Sequence, residues 1–419
     1  MFREEIGVPR AELVIIGNEV TSGLVLDTNS HTLCSRLLTV GIDVSRVTSI
    51  GDAQEHIVDA IQQALERVDI VITTGGLGAT HDDITKQVLA GMFQSGFKKD
   101  PVVEKMVQDI FQARGQAVPG QAYSQCEVPE KAVVLYNEKG TAPGFLFQKN
   151  NQRVYVLPGV PLEMEYLMGK YILPQLSLLG KMRIGHRIIK TTGISESGLW
   201  EKIGPADPLE KFVTAASLPS HLGVRIRLSA WGDRQEEVEE KLNAAEKFLR
   251  AKIADHIYGR DDEGLEEIAG DLLRRNKLTL AVAESCTGGL IGHRLTNVPG
   301  SSDYLMEVAV TYSNQAKMRR LGVSHDLLRQ YGAVSREVAL AMAEGIRKTA
   351  GVDVGLAVTG IAGPGDLSGE KPVGLTYIAV SGKNGSHCER FQFHQDRIRN
   401  KERAAQAALN ILRQRLMKG

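Results

Sequence analysis

The chain is 419 residues long, 42% hydrophobic and 24% charged, which gives room for two or three separately cored domains and excludes the disordered, fibrous and collagen-like classes. Lys plus Arg and Asp plus Glu number 50 each, so the net charge is zero and the basic footprint of a duplex-DNA or anionic-membrane binder is missing. Cys34, Cys126, Cys286 and Cys388 stand far apart with no CxxC pair, which argues against disulfide stapling and structural zinc.

In chain order, the opening Met-Phe-Arg-Glu-Glu-Ile-Gly lacks the apolar stretch of a signal peptide. No later segment approaches the roughly 18 apolar residues of a membrane span, so a reducing cytoplasmic setting is expected. Apolar runs then alternate with amphipathic stretches. Residues 12–16 read as a strand, 29–38 as a helix with Leu33, Leu37 and Leu38 on one face, and 43–50 as a strand. A helix at 53–67, with Ile57, Ile61, Ala64 and Leu65 together, precedes a buried strand at 69–73. Strand, helix, strand predicts a parallel sheet with right-handed crossovers. Two further helical stretches lead to a strand at 153–157 and a closing helix at 161–179.

From residue 186 the pattern changes to strand 186–192, a helix from Ser195, strands 212–217 and 224–231, and a charged helix 234–253. This predicts a small α+β module, a spacer or dimerisation unit, in which Arg225 and Arg227 occupy a solvated strand face. The α/β alternation then restarts with helix 265–275, strand 279–283, helix 288–296 and strand 307–312. It continues with helix 337–350, strands 354–358, 375–380 and 388–393, and a final helix 400–416, which together make a helix–sheet–helix sandwich. The expected fold class is therefore α/β, divided at 1–168, 169–257 and 258–419.

The most informative segment is Ala281-Val-Ala-Glu-Ser-Cys-Thr-Gly-Gly-Leu290, a strand running through a glycine-flanked turn into a helix. A serine there is exposed at the strand's carboxyl end, with backbone N–H groups behind it to hold an anion or an oxyanion. Acyl transfer and a phosphate-binding or merely tight turn are equally compatible with this segment alone. Cys286 is a rival nucleophile to Ser285, but no local group lowers its thiol pKa. No His–Asp pair offers a base; Lys317, near the end of the next strand together with Tyr312, accepts a proton if burial lowers its pKa. Gly355-Leu-Ala-Val-Thr-Gly-Ile-Ala-Gly-Pro-Gly365 brings Thr359 to a third strand end on the same face.

Ala283-Glu-Ser-Cys-Thr-Gly-Gly289, Thr311-Tyr-Ser-Asn314 with Lys317, Tyr331-Gly-Ala-Val-Ser335, Thr359-Gly-Ile-Ala-Gly-Pro364 and Glu370-Lys-Pro-Val-Gly374 closely resemble the nicotinamide mononucleotide amidohydrolase domain of the CinA (competence/damage-inducible protein A) family. The resemblance implies hydrolysis of the nicotinamide carboxamide to nicotinate mononucleotide and ammonia, without a cofactor. It makes Ser285 the nucleophile, Lys317 the base and Tyr312 and Thr359 assisting groups, with Glu284, Cys286, Gly288, Gly289, Gly360 and Arg399 in the substrate site. Gly365-Asp-Leu-Ser-Gly369 departs from the family's more glycine-rich loop.

In the first part, Thr73-Thr-Gly-Gly-Leu-Gly-Ala-Thr-His-Asp-Asp-Ile-Thr85 follows a buried strand, so amides around Gly75, Gly76 and Gly78 can cradle a phosphate and Asp82 and Asp83 can hold a hard cation. A plain capped helix start is the simpler reading of the same loop. With Gly17-Asn-Glu-Val-Thr-Ser-Gly23, Asp27-Thr-Asn29 and Leu157-Pro-Gly-Val-Pro-Leu-Glu-Met164, it resembles the molybdopterin-binding-like domain of the same family. That resemblance implies cleavage of ADP-ribose dependent on Mg, Mn or Co, with Asn29 and the loop glycines on the substrate and Glu19 beside Asp82 and Asp83 on the metal. Asn18 and Ala79 stand where the family has Asp and Pro. Small nucleotides are the expected partners, with a homodimer and neither nucleic acid nor membrane; a nucleotide-sensing regulator and a DNA-competence factor are the competing functions.

Overall fold

Continuous aliphatic runs form the central strands of two α/β sheets in this computed structural model, which describes residues 9–179, 183–205, 207–364, 371–394 and 396–417. In the first sheet, β1 is Arg10–Ile16, β2 Asp43–Ile50 and β3 Ile70–Thr74. Two short strands, β4 Phe97–Lys99 and β5 Glu127–Pro129, pair apart from it. Then come β6 Val133–Leu135, β7 Gly144–Lys149 and β8 Gln152–Leu157. The order is β2-β1-β3-β8-β7-β6, parallel from β2 to β8 and antiparallel across β7 and β6. The expected parallel sheet forms the larger part, and two antiparallel strands extend it at one edge. A tight hairpin at Asn150, whose φ of 55° suits an asparagine, turns the chain back before β8.

The smaller antiparallel sheet comprises β9 Arg183–Thr191, β10 Thr214–Ser220, β11 Gly223–Gly232 and β12 Ile257–Arg260, in the order β10-β11-β9-β12. The last sheet comprises β13 Leu280–Glu284, β14 Leu305–Val310, β15 Val354–Gly360, β16 Leu375–Gly382 and β17 Gly385–Gln392. Its order is β14-β13-β15-β16-β17, with the first three parallel and the last two antiparallel. By packing, the chain divides into two compact units, Met1–Gly185 with Ala230–Glu240, and His186–Ser229 with Lys241–Gly419.

Strand alternation sets the two faces of the last sheet. Leu280, Val282, Leu356, Val358, Ile378 and Val380 join the core with residues of the helices Leu265–Arg275, Leu290–Thr296 and Arg397–Met417. On the other face Ala281, Ala283, Ala357 and Ala379 cluster with Val338, Ala339, Met342, Ala343 and Ile346 of the helix Arg336–Ala350. Small residues let this helix lie so close that a Cβ on Gly355 would sit 2.1 Å from the Ala343 carbonyl oxygen. Register pairs Glu284 with both Val310 and Val358, so the chain leaves β13, β14 and β15 at one level. That level is where the candidate site forms.

Several boundaries differ from expectation. The closing helix of the first sheet is interrupted: Pro161–Leu167 is α, Met168–Ile172 is a wide π turn, and Leu173–Leu176 resumes α around Pro174, which has no N–H to donate. Strand 307–312 lies two residues earlier, and 212–217 two to three later, the usual uncertainty of element ends. Among the described residues no helix is long and apolar enough to cross a membrane.

Candidate active site at the strand ends

Ser285 is the first residue beyond β13, and its amide still donates to Val358 O of β15 at 3.0 Å, so the sheet itself fixes its backbone. Glu284, of the same parity as Leu280 and Val282, points beneath the turn. Its carboxylate is fully buried and accepts from the amides of Gly289 (2.9 Å), Ile291 (3.2 Å) and Gly292 (2.8 Å). Glu284 therefore caps the following helix and does not line the cavity beside Ser285, whereas the resemblance put it in the substrate site. Gly288 and Gly289, at φ 63° and 98°, shape the turn and delay the helix to Leu290 instead of residue 288. The Gly288 amide is taken by Ser285 O at 3.1 Å, which leaves the amides of Cys286 and Thr287 as the candidates for an oxyanion.

Lys317 lies on the helix Asn314–Leu321, capped by Ser313, whose hydroxyl accepts from the Ala316 amide. The helix aims Lys317 inward, where it is 1% exposed and its Nζ sits 3.0 Å from Ser285 Oγ. Nζ also donates to Thr311 O at 2.8 Å and Tyr312 O at 3.3 Å. Burial lowers its pKa to about 8. A neutral amine has two N–H bonds and one lone pair; the two carbonyls take the hydrogens and the lone pair is left for the Ser285 hydroxyl. Burial has the opposite effect on the neighbouring thiol. The Cys286 pKa is pushed up to about 12, so near neutral pH it stays protonated and is a poor nucleophile.

Ser285, Cys286, Lys317, Tyr312, Ala333, Val334, Thr359, Gly360, Ala362 and Arg397 line one cavity of about 210 Å³. Thr359 is fully buried and donates to Ala333 O at 2.7 Å, tying the end of β15 to the loop opposite. Tyr312 is 61% exposed, and its hydroxyl accepts from Arg397 Nη2 at 3.1 Å. Arg397 also donates to Gly363 O. Arg399 does not join this group; its exposed side chain turns back to Asp396, with Nε 3.5 Å from Oδ2. The missed signal is Asp396 itself. It caps the last helix by accepting from the amides of Ile398 and Arg399, which makes Arg397 the first helical residue, beside the cavity. The departing loop 365–369, and Glu370 of the next motif, lie outside the described residues.

In the N-terminal unit the loop after β3 is held tightly. Gly75 has φ 113°, and a Cβ there would lie 1.9 Å from Ile16 O, so only glycine fits. A Cβ on Gly76 would meet Thr85 Oγ1 at 2.1 Å, and one on Gly78 would meet Asp83 Oδ2 at 2.3 Å. Thr74 donates to Pro158 O at 2.8 Å; Asn29 Nδ2 donates to Thr74 Oγ1 (3.1 Å) and Gly159 O (2.8 Å). Asn29 Oδ1 is buried without a hydrogen-bond partner in the structure. Asp82 and Asp83 converge on Thr80, whose hydroxyl holds Asp82 below its ordinary carboxylate pKa. Asn18, Asp52, His56, His81 and Asp82 border a groove of about 810 Å³. Among the described residues no three His, Cys, Asp or Glu side chains gather as metal ligands, so Glu19 does not join Asp82 and Asp83. Two adjacent carboxylates still fit Mg²⁺ or Mn²⁺, which commonly use one or two protein carboxylates and complete their shell with phosphate oxygens and water.

Three family models match the chain in succession: probable molybdopterin binding domain over residues 12–178, damage-inducible protein CinA KH domain over 186–259, and CinA C-terminal domain over 262–416. A putative competence-damage inducible protein of Caldicellulosiruptor saccharolyticus is 39% identical over 407 residues, 97% of this chain and 99% of that protein. A CinA-like protein of Chloroherpeton thalassium is 41% identical over 415 residues, again 97% and 99%. Among solved structures, the competence/damage inducible protein CihA of Agrobacterium tumefaciens is 38% identical with a TM-score of 0.34, covering 36% of this chain and 94% of that one. Matches that run the length of both partners, through all three family regions, make this chain a member of the CinA family.

Proposed function

We propose that the C-terminal α/β part hydrolyses nicotinamide mononucleotide to nicotinate mononucleotide and ammonia. The observation that carries this reading is the buried Lys317 Nζ at 3.0 Å from Ser285 Oγ, with an amine pKa near 8. Neutral Lys317 takes the hydroxyl proton as Ser285 Oγ attacks the carboxamide carbon, and the developing oxyanion is met by the amides of Cys286 and Thr287. The protonated lysine then gives its proton to the leaving nitrogen, ammonia departs, and an ester to Ser285 remains. Water, deprotonated by the same lysine, attacks this ester; nicotinate mononucleotide leaves and the hydroxyl is restored. Ammonia release is the test: wild-type protein must produce it from nicotinamide mononucleotide, and Ser285→Ala must lower kcat at least ~10³-fold. Near-normal turnover by Ser285→Ala, with Cys286→Ala inactive, reverses the nucleophile assignment.

For the N-terminal α/β part, the reading is hydrolysis of ADP-ribose to AMP and ribose 5-phosphate at the Gly75–Asp83 loop. Asp82 and Asp83 would hold a divalent ion, which when bound supplies charge neutralisation for the phosphate leaving group and lowers the pKa of a water. The Gly75 amide is taken by Leu157 O at 3.0 Å, so of the expected phosphate cradle it is the amides around Gly76 and Gly78 that bind and orient the pyrophosphate.

A further inference from the structure

The cavity beside Ser285 has one wall built from Ala333 and Val334, in the short connection between the helices His325–Tyr331 and Arg336–Ala350. Such a connection has no ladder of its own to fix it, yet here every carbonyl from Tyr331 to Val334 is bound. Gly332 O accepts from Ser335 Oγ at 3.0 Å and Ala333 O from Thr359 Oγ1 at 2.7 Å. Tyr331 O and Val334 O both accept from Lys371 Nζ, at 2.8 and 2.7 Å. Lys371 grips the wall on either side of Ala333 from a segment 37 to 40 residues away in sequence. Its own backbone surroundings are fixed: Leu375 N donates to Pro372 O at 3.2 Å and Gly374 N to Ile361 O at 2.7 Å. Gln392 Nε2 adds a bond to Val373 O at 2.7 Å.

We infer that Lys371 is a positioning residue for substrate binding, acting through the Tyr331–Val334 wall on the nicotinamide nucleotide. This rests on the amidase reading of the same cavity. A charged donor shared by two carbonyls fixes two peptide planes at once, and these flank the residues that line the cavity. Without it, both carbonyls must find other donors and the wall moves; Ser285 and Lys317, anchored on β13 and on a separate helix, stay where they are. The effect therefore falls on substrate affinity and spares the chemical step.

Steady-state ammonia release by wild type, Lys371→Met and Lys371→Arg, together with the rate at which a fluorophosphonate labels Ser285, tests this. Lys371→Met is expected to raise KM about ten-fold, while kcat, its pH profile and the labelling rate stay within about two-fold of wild type. Lys371→Arg, which keeps a charged donor, recovers most of the loss. A wild-type KM in Lys371→Met overturns the assignment. So does a fall of kcat and labelling together with KM in both variants, which would make Lys371 a support of the fold alone. If wild-type protein is labelled at Ser285 yet releases no ammonia, the amidase reading fails first and takes this assignment with it.

Discussion

Lys317 sits where a cation is costly, and the proposed mechanism requires it to cycle through the cationic form. Only the neutral amine accepts a proton, and its fraction grows as pH rises through about 8, so amidase activity should climb about ten-fold per pH unit below that value and level off above it. A pH profile of kcat checks this, and a flat profile between pH 6 and 9 removes Lys317 from the base role. Lys317→Arg should be nearly inactive at every pH, because a guanidinium keeps its proton throughout the accessible range. Cys286→Ala should retain activity to within about ten-fold, since a thiol held protonated contributes packing and little nucleophilicity.

At the scale of elements, the turn that presents Ser285 is stabilised from below by Glu284. Glu284→Ala would leave two buried amides and one part-buried amide without their acceptor and should cost at least about 2 kcal/mol, read as a lower urea midpoint, with Glu284→Gln losing less. An unchanged midpoint in the alanine variant would show that water replaces the carboxylate freely. The sequence displayed much of this. Unbroken apolar runs such as Leu280-Ala-Val-Ala283 and Ile70-Val-Ile72 mark central strands, and the glycine turns behind them mark where ligands approach. Parity with Leu280 and Val282 was the available sign that Glu284 points under the sheet; its place in a motif drew it to the substrate instead. The antiparallel strands β6 and β7 were not legible, because short apolar segments between Pro and Gly give no period to read. Nor does sequence supply the reach of a side chain across the fold, so a motif that contains Lys371 gives that lysine no role and a helix start that holds both Arg397 and Arg399 does not say which of them lines the cavity.

For the whole molecule, the two proposed chemistries make different demands on one chain. A chelator should abolish ADP-ribose cleavage and leave ammonia release within about two-fold, because the proposed Ser285–Lys317 steps use no metal. Asp82→Asn with Asp83→Asn should do the same, and continued ADP-ribose turnover by that double variant would place its metal elsewhere. The two α/β sheets also share a device: a buried threonine at the end of a central parallel strand donates to a carbonyl of a distant loop, Thr74 to Pro158 and Thr359 to Ala333. Each hydroxyl ties a strand end to a loop that other bonds also hold, from Asn29 to Gly159 O in the first sheet and from Ser335 and Lys371 to the carbonyls around Ala333 in the last. Threonine and valine are nearly the same size, so Thr74→Val or Thr359→Val removes one tether of the loop without emptying the core. A loop fastened at several points yields by degrees: cutting one tether relaxes a single peptide and leaves the strands beneath it in register.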